Sequence, residues 1–318
     1  MNKKRFLSWS KKKTHCLIYD SNELSIKGVR ARLNVDKLTI CYTMSDLLYK
    51  NLMKSDVIDY KDFKLIRYKD PDHLYSDCFV IQCQDLDDQK GELIWYDYAH
   101  LKFNMRLQDD NTKINYAWIY VNNKTLYTPF SLGVSAVIGL EYIAYMLDLK
   151  INNLTTLDIA FDSNINFAKR IRKAVFNPLL QVVLNGKVKN DPKEHLNEIF
   201  YLQKGNQERI TDLSVYVSQK KKDGFMLCVY DKAKEAKVND KFYILDWMKM
   251  SKNLYRSEIR LKNQHLKKYF EGLNDFDMNL IYLNLSNQKF LFDIFLHFSM
   301  RLLRFRGQDH QVYSILQV

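Results

Sequence analysis

Apolar and polar residues along the chain fall into two alternating regimes. Val35–Tyr42 reads as a strand, and Leu47–Met53 carries helical spacing. Three β-rich stretches follow, Phe79–Gln84, Leu93–Tyr98 and Ala117–Val121, punctuated by turn-forming Asp85–Gly91 and Asn122–Lys124. Over Ser135–Leu147 the helical period returns, with Val137, Leu140, Ile143, Ala144 and Leu147 on one stripe. Thr156–Phe161 switches back to a strand, and Asn164–Val175 reads as a helix rich in Lys and Arg. Residues 185–209 are polar and irregular, as an exposed loop or short helix would be. Leu213–Val217 and Phe225–Asp231 form a predicted hairpin around Ser218–Gly224. A short helix over Asp231–Val238, a strand over Asn253–Lys262 and a helical remainder complete the pattern. The order of elements predicts an α+β fold. In it a curved, largely antiparallel sheet carries the active site, helices cover its back and the C-terminus is helical. The expected segments are a basic arm at 1–30, an α+β half at 31–150, a catalytic half at 151–262 and a helical region at 263–318.

Composition sharpens this picture in three ways. Gly (9) and Pro (4) are scarce, which argues against long flexible linkers, while 21 Tyr and 18 Phe favour sheet. The formal net charge of +12 points to a polyanionic partner, nucleic acid before an anionic membrane. Five cysteines without a CxxC pair fit small, reduced, buried side chains in a cytoplasmic protein. The basic start has no apolar run of a signal peptide, and Phe290–Met300, interrupted by Asp293 and His297, reads as an amphipathic helix rather than a membrane span.

Three segments carry residues suited to chemistry. On the strand Leu157–Asp162, Asp158, Ala160 and Asp162 share one face, so that two carboxylates flank a small residue; hard divalent cations favour such oxygen sites. In Met226–Glu235, Tyr230 lies at a strand end beside Lys232, with Glu235 about one helical turn on. A phenol of pKa ~10 is a weak nucleophile unless a metal, a cation or a carboxylate base activates it. On Tyr255–Lys262, Arg256, Glu258, Arg260 and Lys262 share a face, a carboxylate between arginines that could grip phosphate. Each segment alone is also what a half-exposed strand or a salt-bridged surface looks like. On neighbouring strands Asp158, Asp162, Tyr230 and Glu258 would converge.

In order and spacing these segments resemble the rolling-circle replication initiators of staphylococcal-type plasmids, a family that includes the nicking relaxases of some conjugative elements. The matching stretches are Thr156–Asp162, Cys228–Glu235 and Tyr255–Lys262; a helix like Ser135–Leu149 and a strand like Val35–Tyr42 precede them. The likeness extends over roughly residues 30–265 and is sharp within 156–262. It implies that Tyr230 is the nicking nucleophile and that Asp158, Asp162, Glu235 and Glu258 serve as metal ligands or general base. In the reading taken here Asp158, Asp162 and Glu258 hold Mg²⁺ or Mn²⁺, and Glu235 with Lys232 assists Tyr230. Arg256 and Arg260 face the phosphate. Departures lie in the hairpin: Tyr216-Val217-Ser218-Gln219 lacks the glycine and arginine common in relatives, with Lys220, Lys221 and Lys222 as substitutes for phosphate contact. The implied activity is metal-dependent, origin-specific nicking and rejoining of DNA through a 5′-phosphotyrosine, with a host helicase and polymerase as partners and a homodimer as the assembly. A mobilisation relaxase with the same chemistry, or a catalytically silent DNA-binding protein, are the alternatives.

Overall fold

The computed structural model describes residues 24–26, 29–70, 74–86, 92–104, 115–128, 136–189, 191, 196–204, 210–219, 224–272, 281–282 and 284–318. In chain order its elements begin with β1 (Leu24–Ile26), β2 (Val29–Met44), α1 (Asp46–Lys54), β3 (Val57–Asp59), β4 (Phe63–Tyr68), β5 (Asp77–Leu86), β6 (Leu93–Phe103) and β7 (Asn115–Val121). Next come α2 (Asn123–Tyr127), α3 (Ala136–Met146), β8 (Leu149–Ser163), α4 (Phe167–Val175), β9 (Leu180–Leu184), β10 (Lys187–Lys189), α5 (Leu196–Ile199), β11 (Phe200–Lys204) and β12 (Ile210–Ser218). The last are β13 (Met226–Asp231), α6 (Lys232–Val238), α7 (Phe242–Met248), β14 (Tyr255–Lys262), α8 (Asn263–Glu271), α9 (Gln288–Leu302), β15 (Leu303–Gly307) and β16 (Val312–Tyr313). This is the expected α+β class, a large antiparallel sheet with helices and a helix late in the chain. Among the described residues no helix is long and apolar enough to cross a membrane.

The chain sorts into two compact units, one of residues 1–35, 158–261 and 287–318, the other of 36–157 and 262–286. These bounds cut across the segments expected from sequence. The C-terminal region in particular is shared out, α8 to the second unit and α9 to the first.

The second unit is a meander. β7, β6, β5, β4 and β3 pair in turn, all antiparallel, from Thr39↔Tyr120 of β2–β7 out to Val57↔Ile66 of β3–β4. α3 begins against two buried phenols: Tyr98 and Tyr282 donate to the carbonyls of Ala136 and Val137. The Tyr98 bond ties the helix start to β6, and the stripe of Val137, Leu140, Ile143 and Ala144 is buried, as its spacing predicts.

In the first unit β11, β12, β13, β14 and the end of β8 from Asp158 on lie side by side. Val215, Val217, Leu227, Val229, Ile259 and Leu261 are buried, and the register places Val217 opposite Leu227 and Leu227 opposite Ile259. This is one face of the pleat, and α9 packs on it: Phe298 meets Phe225 edge-on at 5.0 Å and Phe295 meets Phe161 at 6.0 Å. The other face carries the polar residues of β8, β13 and β14.

Several elements differ from expectation. Residues 185–209 contain β10, α5 and β11. β9 and β10 are joined by Asn185-Gly186, both at positive φ (51° and 80°), with Leu184 opposite Lys187. That is the two-residue turn whose twist suits a hairpin. After α9 the chain is not helical: Leu303 and Phe305 alternate with Arg304 and Arg306 and form β15 against β9. Asn123–Tyr127 is a helix where a turn is expected. Most of the basic arm and Lys220, Lys221 and Lys222 lie outside the described residues.

Candidate active site

The ladder between β13 and β14 sets the site. Cys228 lies opposite Glu258, Tyr230 opposite Arg256, and Met226 opposite Arg260. Side chains opposite one another share a face, so a phenol, a carboxylate and two guanidinium groups are brought together by register alone. β8 is hydrogen-bonded to β14 on its other side and adds Asp158 and Asp162. Asp231 ends the ladder opposite Tyr255 and caps α6, its carboxylate accepting from the Lys234 amide at 3.0 Å. Tyr230 therefore sits one residue before the helix cap, at a strand end fixed from both sides.

The contacts are specific. The Tyr230 hydroxyl donates to Glu258 Oε2 at 2.9 Å, and Arg260 Nε donates to Glu258 Oε1 at 2.6 Å. The Arg256 guanidinium grips Asp162 through two parallel bonds, Nε to Oδ1 at 2.7 Å and Nη2 to Oδ2 at 2.6 Å, with both side chains fully buried. Its Nη1 lies 3.9 Å from Glu258 Oε2. Lys232, 1% exposed, pairs with Glu235 and places its ammonium 5.9 Å from the centre of the Tyr230 ring. Glu235 also accepts from Lys241 Nζ at 3.1 Å and Asn239 Nδ2 at 2.9 Å.

Charge follows burial here. Burial pushes the Cys228 thiol up to about 12, with Arg260 pulling down and Glu258 and Asp158 pushing up, so this thiol stays protonated. Burial is the largest influence on Arg260 and lowers its pKa, but Glu258, Cys228 and Asp158 together outweigh it and hold the guanidinium above its usual value. Asp158 thus acts electrostatically on the same two groups as Glu258. Burial would raise Glu235, but Lys232 and Lys241 hold its carboxyl below the usual 4.5.

These placements change the roles of several predicted residues. Glu258, not Glu235, touches the phenol; Glu235 is held by two lysines and an asparagine. Arg256 is buried against Asp162 and presents no open face to a phosphate, whereas Arg260, 46% exposed, does. The metal set divides too. Both oxygens of Asp162 are taken by the Arg256 fork, so Asp162 does not fit as a cation ligand. By the same test Glu258 does not fit either, since Arg260 takes its Oε1 and Tyr230 its Oε2; of the predicted set, Asp158 is the carboxylate whose chemistry still suits a hard cation on the face of the Tyr230 phenol. Among the described residues no three His, Cys, Asp or Glu side chains are grouped to hold a metal ion. Sequence reasoning missed Lys241 and Asn239, which complete the Glu235 cluster; nothing in their local pattern marks them.

Compared with known proteins, the chain matches no family model, no curated protein and no solved structure.

The Glu235 cluster carries a pH prediction. A carboxyl held below its usual value stabilises the fold above about 4.5, and that stabilisation fades as pH falls through the lower folded value. Glu235→Gln is expected to cost about 1.5–3 kcal/mol at neutral pH, the worth of a charged hydrogen bond to buried Lys232. Urea unfolding of both proteins should show the gap closing as pH drops below 4.5. A gap that stays constant through that range would mean that the charge of Glu235 contributes nothing.

Proposed function

We propose that this chain is a tyrosine DNA nickase and strand transferase of the kind that starts rolling-circle replication. The observation that carries the reading is the Tyr230 hydroxyl, hydrogen-bonded at 2.9 Å to a carboxylate that is 1% exposed, with the Lys232 ammonium beside the ring. A phenol of pKa ~10 needs a base at the moment of attack, and Glu258 is the base in contact with it. Tyr230 Oη attacks phosphorus as its proton passes to Glu258. The P–O3′ bond breaks, and the departing 3′ oxygen takes up a proton. The products are a 5′-phosphotyrosine and a free 3′-hydroxyl. Because the phosphotyrosine is a diester, a later 3′-hydroxyl can attack it and restore the strand.

Arg260 is a cation on this face with solvent access, and it stabilises charge on the phosphate in the transition state. Asp158 would contribute to holding Mg²⁺ or Mn²⁺, which would supply Lewis-acid polarisation of a phosphoryl oxygen. The net charge of +12 supplies affinity for DNA that falls steeply with salt. The free 3′-hydroxyl suits extension by a host polymerase behind a helicase. Likeness in three strand motifs to the plasmid initiators supports the same reaction.

The test is a denaturing gel of protein incubated with Mg²⁺ or Mn²⁺ and single-stranded or supercoiled DNA of its own replicon. A covalent protein–DNA band is expected for the wild type and none for Tyr230→Phe. A band of equal intensity in the variant overturns the assignment.

A further inference from the structure

A second site lies within the same unit, away from Tyr230. A cleft of about 800 Å³ opens between α4, the chain entering β9, and the β15–β16 hairpin. Arg170 and Lys173 line it from one turn of α4, with Asn177 and Leu179 beyond them; Asp309 and Tyr313 line the hairpin side. Arg170 is half-buried, its apolar neighbour is the Phe167 ring at 5.9 Å, and no carboxylate among the described residues comes within ion-pair distance of it. Burial lowers its pKa with nothing to offset the loss. A guanidinium kept half-dry without a counter-charge is costly unless an anion arrives.

The opposite side has the reverse character. Asp309 accepts from the Gln311 amide at 3.1 Å and the Tyr313 hydroxyl at 3.4 Å, and so stays fixed on the hairpin. A Cβ at Gly307 would come within 2.5 Å of the Asp309 carboxylate and would have to displace it. The cleft is therefore dipolar, with two cations on one wall and a carboxylate beside an aromatic ring on the other.

We propose that this cleft binds one nucleotide of a single DNA strand, with the phosphate on Arg170 and Lys173 and an amine-bearing base on Tyr313 and Asp309. This rests on the reading of the chain as a DNA-processing enzyme and gives it a strand-holding subsite. The carboxylate repels a phosphate, which fixes the orientation. It also accepts from an exocyclic amine, which cytosine carries and thymine lacks. The Tyr313 ring and Leu179 offer a surface on which any base can stack.

The experiment is fluorescence anisotropy of the full chain with short labelled oligodeoxycytidylate and oligothymidylate across a salt series. The wild type is expected to favour the cytidine strand. Lys173→Glu, at an exposed position, and the double variant Arg170→Ala with Lys173→Ala are expected to lose roughly tenfold in affinity. Their salt slopes should fall by ~0.7 for each phosphate contact removed. Asp309→Asn should narrow the preference between the two strands. Unchanged affinity and slope in Lys173→Glu overturns the inference, and so does failure of the wild type to bind either strand. The two readings separate cleanly. An adduct at Tyr230 with unaltered binding by Lys173→Glu removes only the cleft, while lost binding in that variant without any adduct removes only the nickase.

Discussion

Asp162→Ala is expected to destabilise the fold by about 3–5 kcal/mol, the cost of leaving a buried charge without its partner. Both Asp162 and Arg256 are fully buried, and the two parallel bonds between them span 94 residues of sequence. Removing the carboxylate strands a guanidinium that cannot lose its proton. The same physics makes the pair itself a weak source of net stability, since burying two charges costs nearly what their attraction returns. A double replacement, Asp162→Leu with Arg256→Met, is therefore expected to cost far less than Asp162→Ala alone. Urea unfolding of the three variants measures this. A single variant within about 1 kcal/mol of wild type would mean that water reaches Arg256. What the pair supplies is position: it pins β8 to β14 two residues from Glu258, so a loosened pair should also slow nicking.

Glu258→Gln is expected to lower the nicking rate by roughly 10²–10⁴-fold, the usual worth of a general base. An amide still hydrogen-bonds the phenol but cannot take its proton. DNA affinity should stay near that of wild type, because the lost step is chemical. The variant should regain rate as pH rises and phenolate forms unaided, while the wild type gains little. Single-turnover rates across pH test this. Full activity in Glu258→Gln with a large loss in Glu235→Gln would return the base role to Glu235.

The contrast between these two carboxylates shows what the sequence makes legible. Alternation on Leu157–Asp162, Met226–Asp231 and Tyr255–Lys262 encodes which residues share a face, and the register confirms that assignment at Cys228↔Glu258 and Tyr230↔Arg256. Alternation does not encode which neighbour a side chain takes. Asp162 reads as a cation ligand because its partner lies 94 residues away on another strand. Glu235 reads as the base because it is close in sequence, yet the α6 turn swings it toward Lys232 and Lys241. Other features were legible and obscured by composition. Asn185-Gly186 is a strong hairpin signal inside a polar stretch, and Leu303–Gly307 alternates like a strand while its arginines resemble the flank of a helix. Arg170 and Lys173 read only as a basic helix, since a cleft is a property of packing.

The most direct test of tyrosine nicking is to locate the bond itself. Protein would be incubated with single-stranded DNA of its own replicon and Mg²⁺ or Mn²⁺, digested with nuclease and protease, and the nucleotide-bearing peptide sequenced by mass spectrometry. The account predicts a nucleotide phosphate on Tyr230, attached through the 5′ side, with a free 3′-hydroxyl on the released strand. A phosphate on another tyrosine, or cleavage that leaves no nucleotide on the protein, would contradict it.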